Sequence, residues 1–400
     1  MTPRPARVVF LNPAGQLGGG ERGLVEVVRA VGDHFPLAVR HVLLGEDGPV
    51  RPLLEAAGAS VHVIPLPAEV RRLGDSGGRP ATLDLLAAGP PAVRYLRHLR
   101  RTLATLQPTL VHSNGIKTHV LSVLAAPAGV PVVWHVRDFL GGRPVVRAAA
   151  RWLAPRVRAV IANSHAVAAD ARRVLGRVPV VPILNAVDPE QFHPGPTDAP
   201  LDEWAGLSPP EPGAVRVGLV ATYARWKGQD VFLEALARLP AGVSVRGYVV
   251  GGPIYQSAGS QFTRDELVQR AKALGLAGRV GFVPFQPGPA AVYRALDVVV
   301  HASTRPEPFG RTVAEAMSCG RAVIATTAGG VTELFADGVD AVGVRPNDPA
   351  ALAGAIGRLA TDAALRARLG SAARGSAGGR FTPARFGGEL AAVYREIGLA

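Results

Sequence analysis

Residues 305–320 read RPEPFGRTVAEAMSCG. Pro306 and Pro308 bracket Glu307, Gly310 follows, and the spacing then turns helical with a second glutamate, Glu315, on it. The run DVVVHAS just before is rich in β-branched residues and predicts a strand ending near Ser303. Two prolines force an extended turn, and Gly310 lets the chain turn tightly or approach a ligand. A helix beginning near Arg311 presents unpaired backbone N–H groups and the positive end of its dipole, which suits a diphosphate. Phe309, Gly310, Arg311 and Thr312 stand at that mouth. Glu315, about one turn further on, is placed to accept hydrogen bonds from vicinal hydroxyls such as a ribose diol, and Glu307 to bond hydroxyls beyond the phosphates. Spacing alone leaves a plainer alternative open, with Glu307 a turn residue and Glu315 a solvated helix residue.

Outward from this stretch, short β-branched runs alternate with helical patterns. RVVFL, LAVRHVLL, SVHVIP, LVHS, VPVVWHV and RAVIANS form one series; VRVGLVAT, SVRGYVVGG, RVGFVPF, LDVVVHAS, RAVIATT and DAVGV form another. This is the βαβ rhythm of a parallel, doubly wound sheet, repeated. The expected fold class is therefore α/β, with two Rossmann-like domains. Residues 193–213, crowded with prolines, read as a linker region. The expected division is 1–192, then the linker, then 214–382, with a closing helix in 383–400 returning to complete the first domain. A crevice between two such halves is the expected binding site.

Four hundred residues suit two domains, and 47 glycines with 35 prolines stay below the level of a disordered chain. The one cysteine, Cys319, leaves no internal disulfide and no multi-cysteine zinc site, so a reducing cytoplasm is expected. The apolar run at residues 8–11 is too short for a signal peptide. The longest uncharged run, THVLSVLAAPAGVPVVWHV, is broken by Pro127, Gly129 and Pro131 and reads as helix, turn and strand rather than a membrane span. The formal charge of +13 invites an anionic partner, yet only Lys117, Lys227 and Lys272 are lysines among 44 basic residues. Such an arginine bias reads as coding composition as much as selected charge, and no zinc-finger spacing or aromatic-basic pattern points to nucleic acid.

The longer stretch PEPFGRTVAEAMSCGRAVIATTAGGVTEL closely resembles the signature of family 4 glycosyltransferases, two glutamates separated by seven residues and then a Gly-rich turn. Its companions come in the family's order: LNPAGQLGGGERGL for the first glycine-rich loop, ANSHAVAADARRVL for a serine-led helix, and NAVDPEQFHP with Ala186 where glycine is usual. RWKGQDVFLEAL resembles the lysine-glycine element and RFTPARFGGELAAVYREIG the closing helix. The resemblance implies a glycosyltransferase B fold. It also implies retaining, metal-independent transfer, a hexosyl transfer by expectation, from a UDP- or GDP-sugar, with no cofactor. The acceptor is a glycan, a lipid-linked group or a small molecule.

If no metal takes part, positive charge must stabilise the departing diphosphate. Lys227 and Arg225 are the candidates, with the helix start at 310–312. The family commonly carries an arginine five residues before this lysine; here the position is Thr222, and either Arg225 supplies the missing charge or the loop binds phosphate with one cation fewer. Gly18, Gly19 and Gly20, with Gly15, allow backbone amides to approach a phosphate or sugar. GGGERG also matches a dinucleotide fingerprint, but it starts well past the strand end at Leu11. His135, at the end of its strand, is a candidate for bonding the sugar or taking the acceptor proton. Arg137 and Asp138, and more weakly Asn114, Lys117 and His112, are acceptor-side candidates. Retention admits Glu307 as a nucleophile or same-face attack, and the resemblance favours the second.

Two other readings stand beside this one. A dinucleotide-dependent oxidoreductase leaves Glu307, Glu315 and the lysine loop unexplained, and a catalytically impaired nucleotide-sugar-binding protein is the reading Thr222 keeps open. Leu96, Leu99, Leu103 and Leu106 share a helical face opposite Arg94, Arg97 and Arg101, and Arg143, Arg147 and Arg151 recur beside Trp152. These basic faces give a second expectation, peripheral contact with anionic lipid at the inner face of the cell membrane.

Overall fold

The computed structural model describes residues 5–72, 81–253 and 260–399. The chain divides into two compact units, one of residues 1–186 with 383–400 and the other of 187–382.

The first unit holds a seven-stranded, all-parallel sheet in the order β3-β2-β1-β4-β5-β6-β7. Its strands are β1 (Arg7–Asn12), β2 (Val39–Leu44), β3 (Ser60–Val63), β4 (Leu110–Asn114), β5 (Val132–Val136), β6 (Ala159–Ala162) and β7 (Val180–Pro182). The strand period of two sends Val8 and Phe10 into one core and Val9 and Leu11 into the other, so both faces are covered. The closing helix Pro383–Glu396 packs on the helix Gly19–His34, and Phe386, Leu390 and Tyr394 join Leu24, Val27 and Val31 in one core. A Cβ on Gly387 would stand 2.8 Å from His34 Nε2, which is why the two helices approach closely there.

The second unit holds a six-stranded parallel sheet in the order β10-β9-β8-β11-β12-β13. These are β8 (Val215–Val220), β9 (Val245–Val250), β10 (Val280–Val283), β11 (Val298–His301), β12 (Ala322–Thr326) and β13 (Val342–Val344). In each sheet the order reverses at one place, between β1 and β4 and between β8 and β11. Ligands of open parallel sheets bind beyond the carboxyl ends of the strands at such a place.

Two features differ from the sequence reading. Residues 193–213 are not a free linker but part of the second unit. Leu201 is buried, Tyr248 donates to Asp202 Oδ1 at 2.7 Å, Arg216 donates to Asp202 Oδ2 at 2.9 Å, and Thr197 donates to Ala291 O. Proline density marks chain that is irregular apart from the short helix Leu201–Ala205, and such chain packs firmly once its polar groups are satisfied. The second feature is Gly20, read as loop, which lies inside the helix beginning at Gly19.

Candidate functional site

In the second unit two segments meet at the carboxyl ends of β8 and β11. After β8, the chain makes the short turn Arg225–Lys227 and passes through Gly228, whose φ of +75° is open to glycine. A side chain on Gly228 would run into the Ala302 carbonyl, so glycine here lets the lysine turn lie against the end of β11. After β11, Glu307 is fixed by its backbone: its N–H donates to Ala328 O at 2.9 Å and its carbonyl accepts from Gly330 N at 2.7 Å. Gly310, at φ +96°, then starts the helix Arg311–Ser318.

The result brings two of the sequence candidates together. Lys227 Nζ stands 2.6 Å from Glu307 Oε2 and 4.0 Å from the centre of the Trp226 ring. Glu307 Oε2 also accepts from Ser303 Oγ at 2.8 Å and from His301 Nε2 at 3.1 Å. Burial raises the pKa of this carboxyl, but the Lys227 charge and the His301 hydrogen bond outweigh it and hold Glu307 well below the usual carboxylate range. It is an ion at neutral pH, buried and already paired.

Glu315 is not a solvated helix residue. It is buried, with Oε1 accepting from Arg311 Nε at 2.8 Å and Oε2 from Tyr293 at 2.8 Å. Each oxygen keeps a second lone pair for a ligand. Phe309 is also buried, edge-on to Phe381 at 6.3 Å, so it anchors the turn. Thr312 is half-buried on the first turn of the helix. Arg225 points elsewhere: its guanidinium pairs with Glu266 at 2.8 Å and lies over Phe262 at 4.3 Å. The candidate substitute for the charge missing at Thr222 is therefore engaged by an acid in this state.

In the first unit, polar groups gather at the carboxyl ends of β1, β4 and β5. Asn114 donates to Asn12 Oδ1 at 2.7 Å across the strand-order reversal. Arg137 donates from Nε to Asn114 Oδ1 at 2.5 Å and from Nη1 to Asn185 Oδ1 at 2.8 Å, with Nη2 3.2 Å from His135 Nδ1. Gly23 leaves the space this guanidinium fills. Burial pushes the Glu21 carboxyl up, against the Asn12 side chain and the Arg137 charge. His135 is wholly buried, its Nε2 has no partner among the described residues, and its pKa is pushed well down by burial and by Arg137. Gly18 is the extended residue before the helix, and Gly19 and Gly20 open it. Asp138 pairs with Arg143 at 2.8 Å, and Lys117 donates to the Arg71 carbonyl.

Sequence reasoning missed Asn12, Asn185, Glu21, Tyr293, His301, Ser303 and Thr326. Asn12, His301 and Thr326 each stand at the last residue of a strand, a position that by itself singles out no chemistry. Among the described residues no group of three or more His, Cys, Asp or Glu side chains is set to hold a metal ion.

Two all-parallel α/β units have the architecture of the glycosyltransferase B fold, and the second pairs a lysine with a glutamate at its strand-order reversal beside a helix start. The comparisons agree. A model of Glycosyltransferase Family 4 matches residues 51–191, and one of group 1 glycosyl transferases matches residues 209–376. D-inositol 3-phosphate glycosyltransferase of Stackebrandtia nassauensis is 30% identical, over 84% of this chain and 90% of that protein. The protein of the same name from Xylanimonas cellulosilytica is 34% identical over 71% of this chain and 64% of its own length. Among solved structures, Anabaena HepE in complex with UDP-glucose superposes with a TM-score of 0.80 at 27% identity, covering 98% of this chain and 99% of that one. Sucrose-phosphate synthase from Thermosynechococcus elongatus shares the fold, at a TM-score of 0.78 and 20% identity over 98% of this chain and 99% of that one. The chain belongs to glycosyltransferase family 4.

Proposed function

We propose that the enzyme transfers a hexose from a uridine diphosphate sugar to a hydroxyl acceptor, retaining the anomeric configuration and needing no metal ion. The observation that carries this reading is the Lys227–Glu307 contact at 2.6 Å beside the start of the helix Arg311–Ser318. The diphosphate lies on the first N–H groups of that helix, and Lys227, with donors to spare beyond the one Glu307 takes, faces its charge. Glu315 keeps acceptor capacity for the ribose. The UDP-glucose bound by HepE supports uridine over guanosine.

Glu307 acts as a binding group in this reading. A carboxylate that already accepts three hydrogen bonds and is held strongly acidic is a weak nucleophile. As the bond from the anomeric carbon to the diphosphate oxygen breaks, Lys227 and the helix start stabilise the charge growing on that oxygen. The acceptor hydroxyl adds from the same face, and its proton passes to the departing diphosphate. Arg225, engaged by Glu266, anchors the loop. Arg137 with Asn114 forms the floor of the acceptor side, and His135, wholly buried, backs Arg137 through Nδ1. The names of the relatives favour a polyol carrying phosphate as acceptor.

The exposed faces support a second, separate proposal. Val145 and Trp152 on the helix Pro144–Leu153 are 61% and 67% exposed, with Arg147, Arg151 and Arg156 around them. Among the described residues no helix is long and apolar enough to cross a membrane. We propose a cytoplasmic enzyme that touches an anionic membrane surface through this helix and through Arg94, Arg97 and Arg101.

The first test is release of UDP from a panel of UDP- and GDP-hexoses in excess EDTA, with inositol phosphates, glycans and lipid-linked sugars as acceptors. Transfer from a UDP-hexose is the expected result. Nucleotide binding without turnover for every donor and acceptor would instead favour the impaired binding protein.

A further inference from the structure

Lys227 does not hold Glu307 alone. His301 ends β11 and Thr326 ends β12, and the parallel register sets His301 opposite Ala325, so the two side chains stand at one edge of the sheet. His301 Nε2 is 3.1 Å from Glu307 Oε2, Ser303 Oγ lies 3.0 Å from the same nitrogen and 2.8 Å from the same carboxylate oxygen, and Thr326 Oγ1 lies 3.2 Å from His301 Nδ1. All four side chains are buried.

The directions of these bonds follow from the carboxylate. An ionised carboxylate only accepts, so Nε2 carries the ring proton toward Oε2. In the neutral ring Nδ1 then accepts, and the Thr326 hydroxyl donates to it. The Ser303 hydroxyl donates to Oε2 as well. Lys227, Ser303 and His301 therefore all load Oε2, while Oε1 takes no bond among the described residues.

We infer that Thr326, His301 and Ser303 form a chain of positioning residues that fixes the Glu307 carboxylate, saturating Oε2 and presenting Oε1 in one direction toward the donor sugar. This rests on the donor site proposed above. Thr326 selects the tautomer, His301 passes that selection to Oε2, and Ser303 closes the triangle. A glutamate side chain, with three torsions, would otherwise sample several rotamers, and positioning losses of this kind act on turnover more than on binding.

The test compares H301L, which keeps bulk without a donor, with H301Q, whose amide N–H reaches about as far as Nε2. T326V and T326S form a parallel pair. Crystals of the unliganded variants show where the Glu307 carboxylate sits, and kinetics with calorimetric UDP binding show what it does. Expected are a displaced Glu307 in H301L, kcat lower by roughly 10–100-fold, the range for losing a partner that orients a functional ligand, and UDP affinity near wild type. H301Q and T326S should keep most of kcat, and T326V should lose part of it.

An unmoved Glu307 with wild-type kcat in H301L overturns the inference. So does equal impairment of H301L and H301Q, which would mark a packing role. If H301L does not fold, Glu307 in S303A and T326V crystals decides: shifted supports the chain, unmoved rejects it. Should the wild-type protein transfer sugar from no donor, the donor-site reading fails, and the crystal position of Glu307 still decides this inference separately.

Discussion

Lys227 and Glu307 lie 80 residues apart in sequence, yet their charges meet at 2.6 Å. The pair has two roles that mutation separates. Lys227→Ala removes the charge facing the leaving diphosphate, so kcat should fall roughly 10²–10³-fold, with a smaller effect on donor KM. It also leaves the buried Glu307 charge uncompensated, which should cost about 3 kcal/mol of stability in the second unit. The double variant Lys227→Ala/Glu307→Gln should recover much of that stability and none of the turnover, because the amide carries no charge to strand. Steady-state kinetics and thermal denaturation of both variants check this, and wild-type kcat in the single variant would remove Lys227 from the chemistry. The sequence makes both partners legible because each sits in its own local pattern. It hides Asn185, His301 and Thr326, which have no pattern of their own and acquire a role only when strand register sets them beside Arg137 or Glu307.

The turn and helix from Glu307 to Ser318 form an element whose geometry depends on one backbone angle. Gly310 has φ +96°, and a Cβ there would stand 2.7 Å from Val331 Cγ2. Gly310→Ala therefore combines an unfavourable backbone region with a clash against a buried side chain. It should destabilise the second unit by about 1–3 kcal/mol and raise donor KM by shifting the N–H groups at the helix start. Denaturant unfolding and donor titration read the two effects, and wild-type KM would show that the helix start does not touch the donor. Elements of this kind are the legible ones: twelve of the strands follow from β-branched runs. The exception is β7, three residues ending in proline, too short for a period of two to show. The stretch 193–213 misleads for the opposite reason, since its composition reports irregularity and not its packing.

For the molecule as a whole, acid should act through the buried histidines of the first unit. His112 and His119 are pushed down from 6.5 to about 3, by burial first and by the Arg137 charge second. Both are neutral in the fold and take up protons in the unfolded chain below pH 6.5. Their contribution is therefore complete above 6.5 and is lost as pH falls toward 3, at up to about 1.4 kcal/mol per pH unit for each ring. Melting temperature should fall between pH 7 and 5, and less steeply in His119→Gln; a flat profile would contradict the burial of neutral rings. Net charge of +13 acts at the same level. Vesicles rich in phosphatidylglycerol should sediment the protein at low salt, and Arg147→Glu/Arg151→Glu or high salt should release it, because screening weakens each contact. No sedimentation at low salt would reduce the basic faces to ordinary surface.

The stereochemistry of transfer without metal decides the account. The purified enzyme is given UDP-α-glucose and its acceptor in excess EDTA, and the anomeric proton of the product is followed by NMR from the first turnover. The account predicts an α-linked product formed at the rate seen with added magnesium, since Lys227 and the helix start supply the positive charge. A β-linked product, or transfer that stops with EDTA and returns with magnesium or manganese, would contradict it.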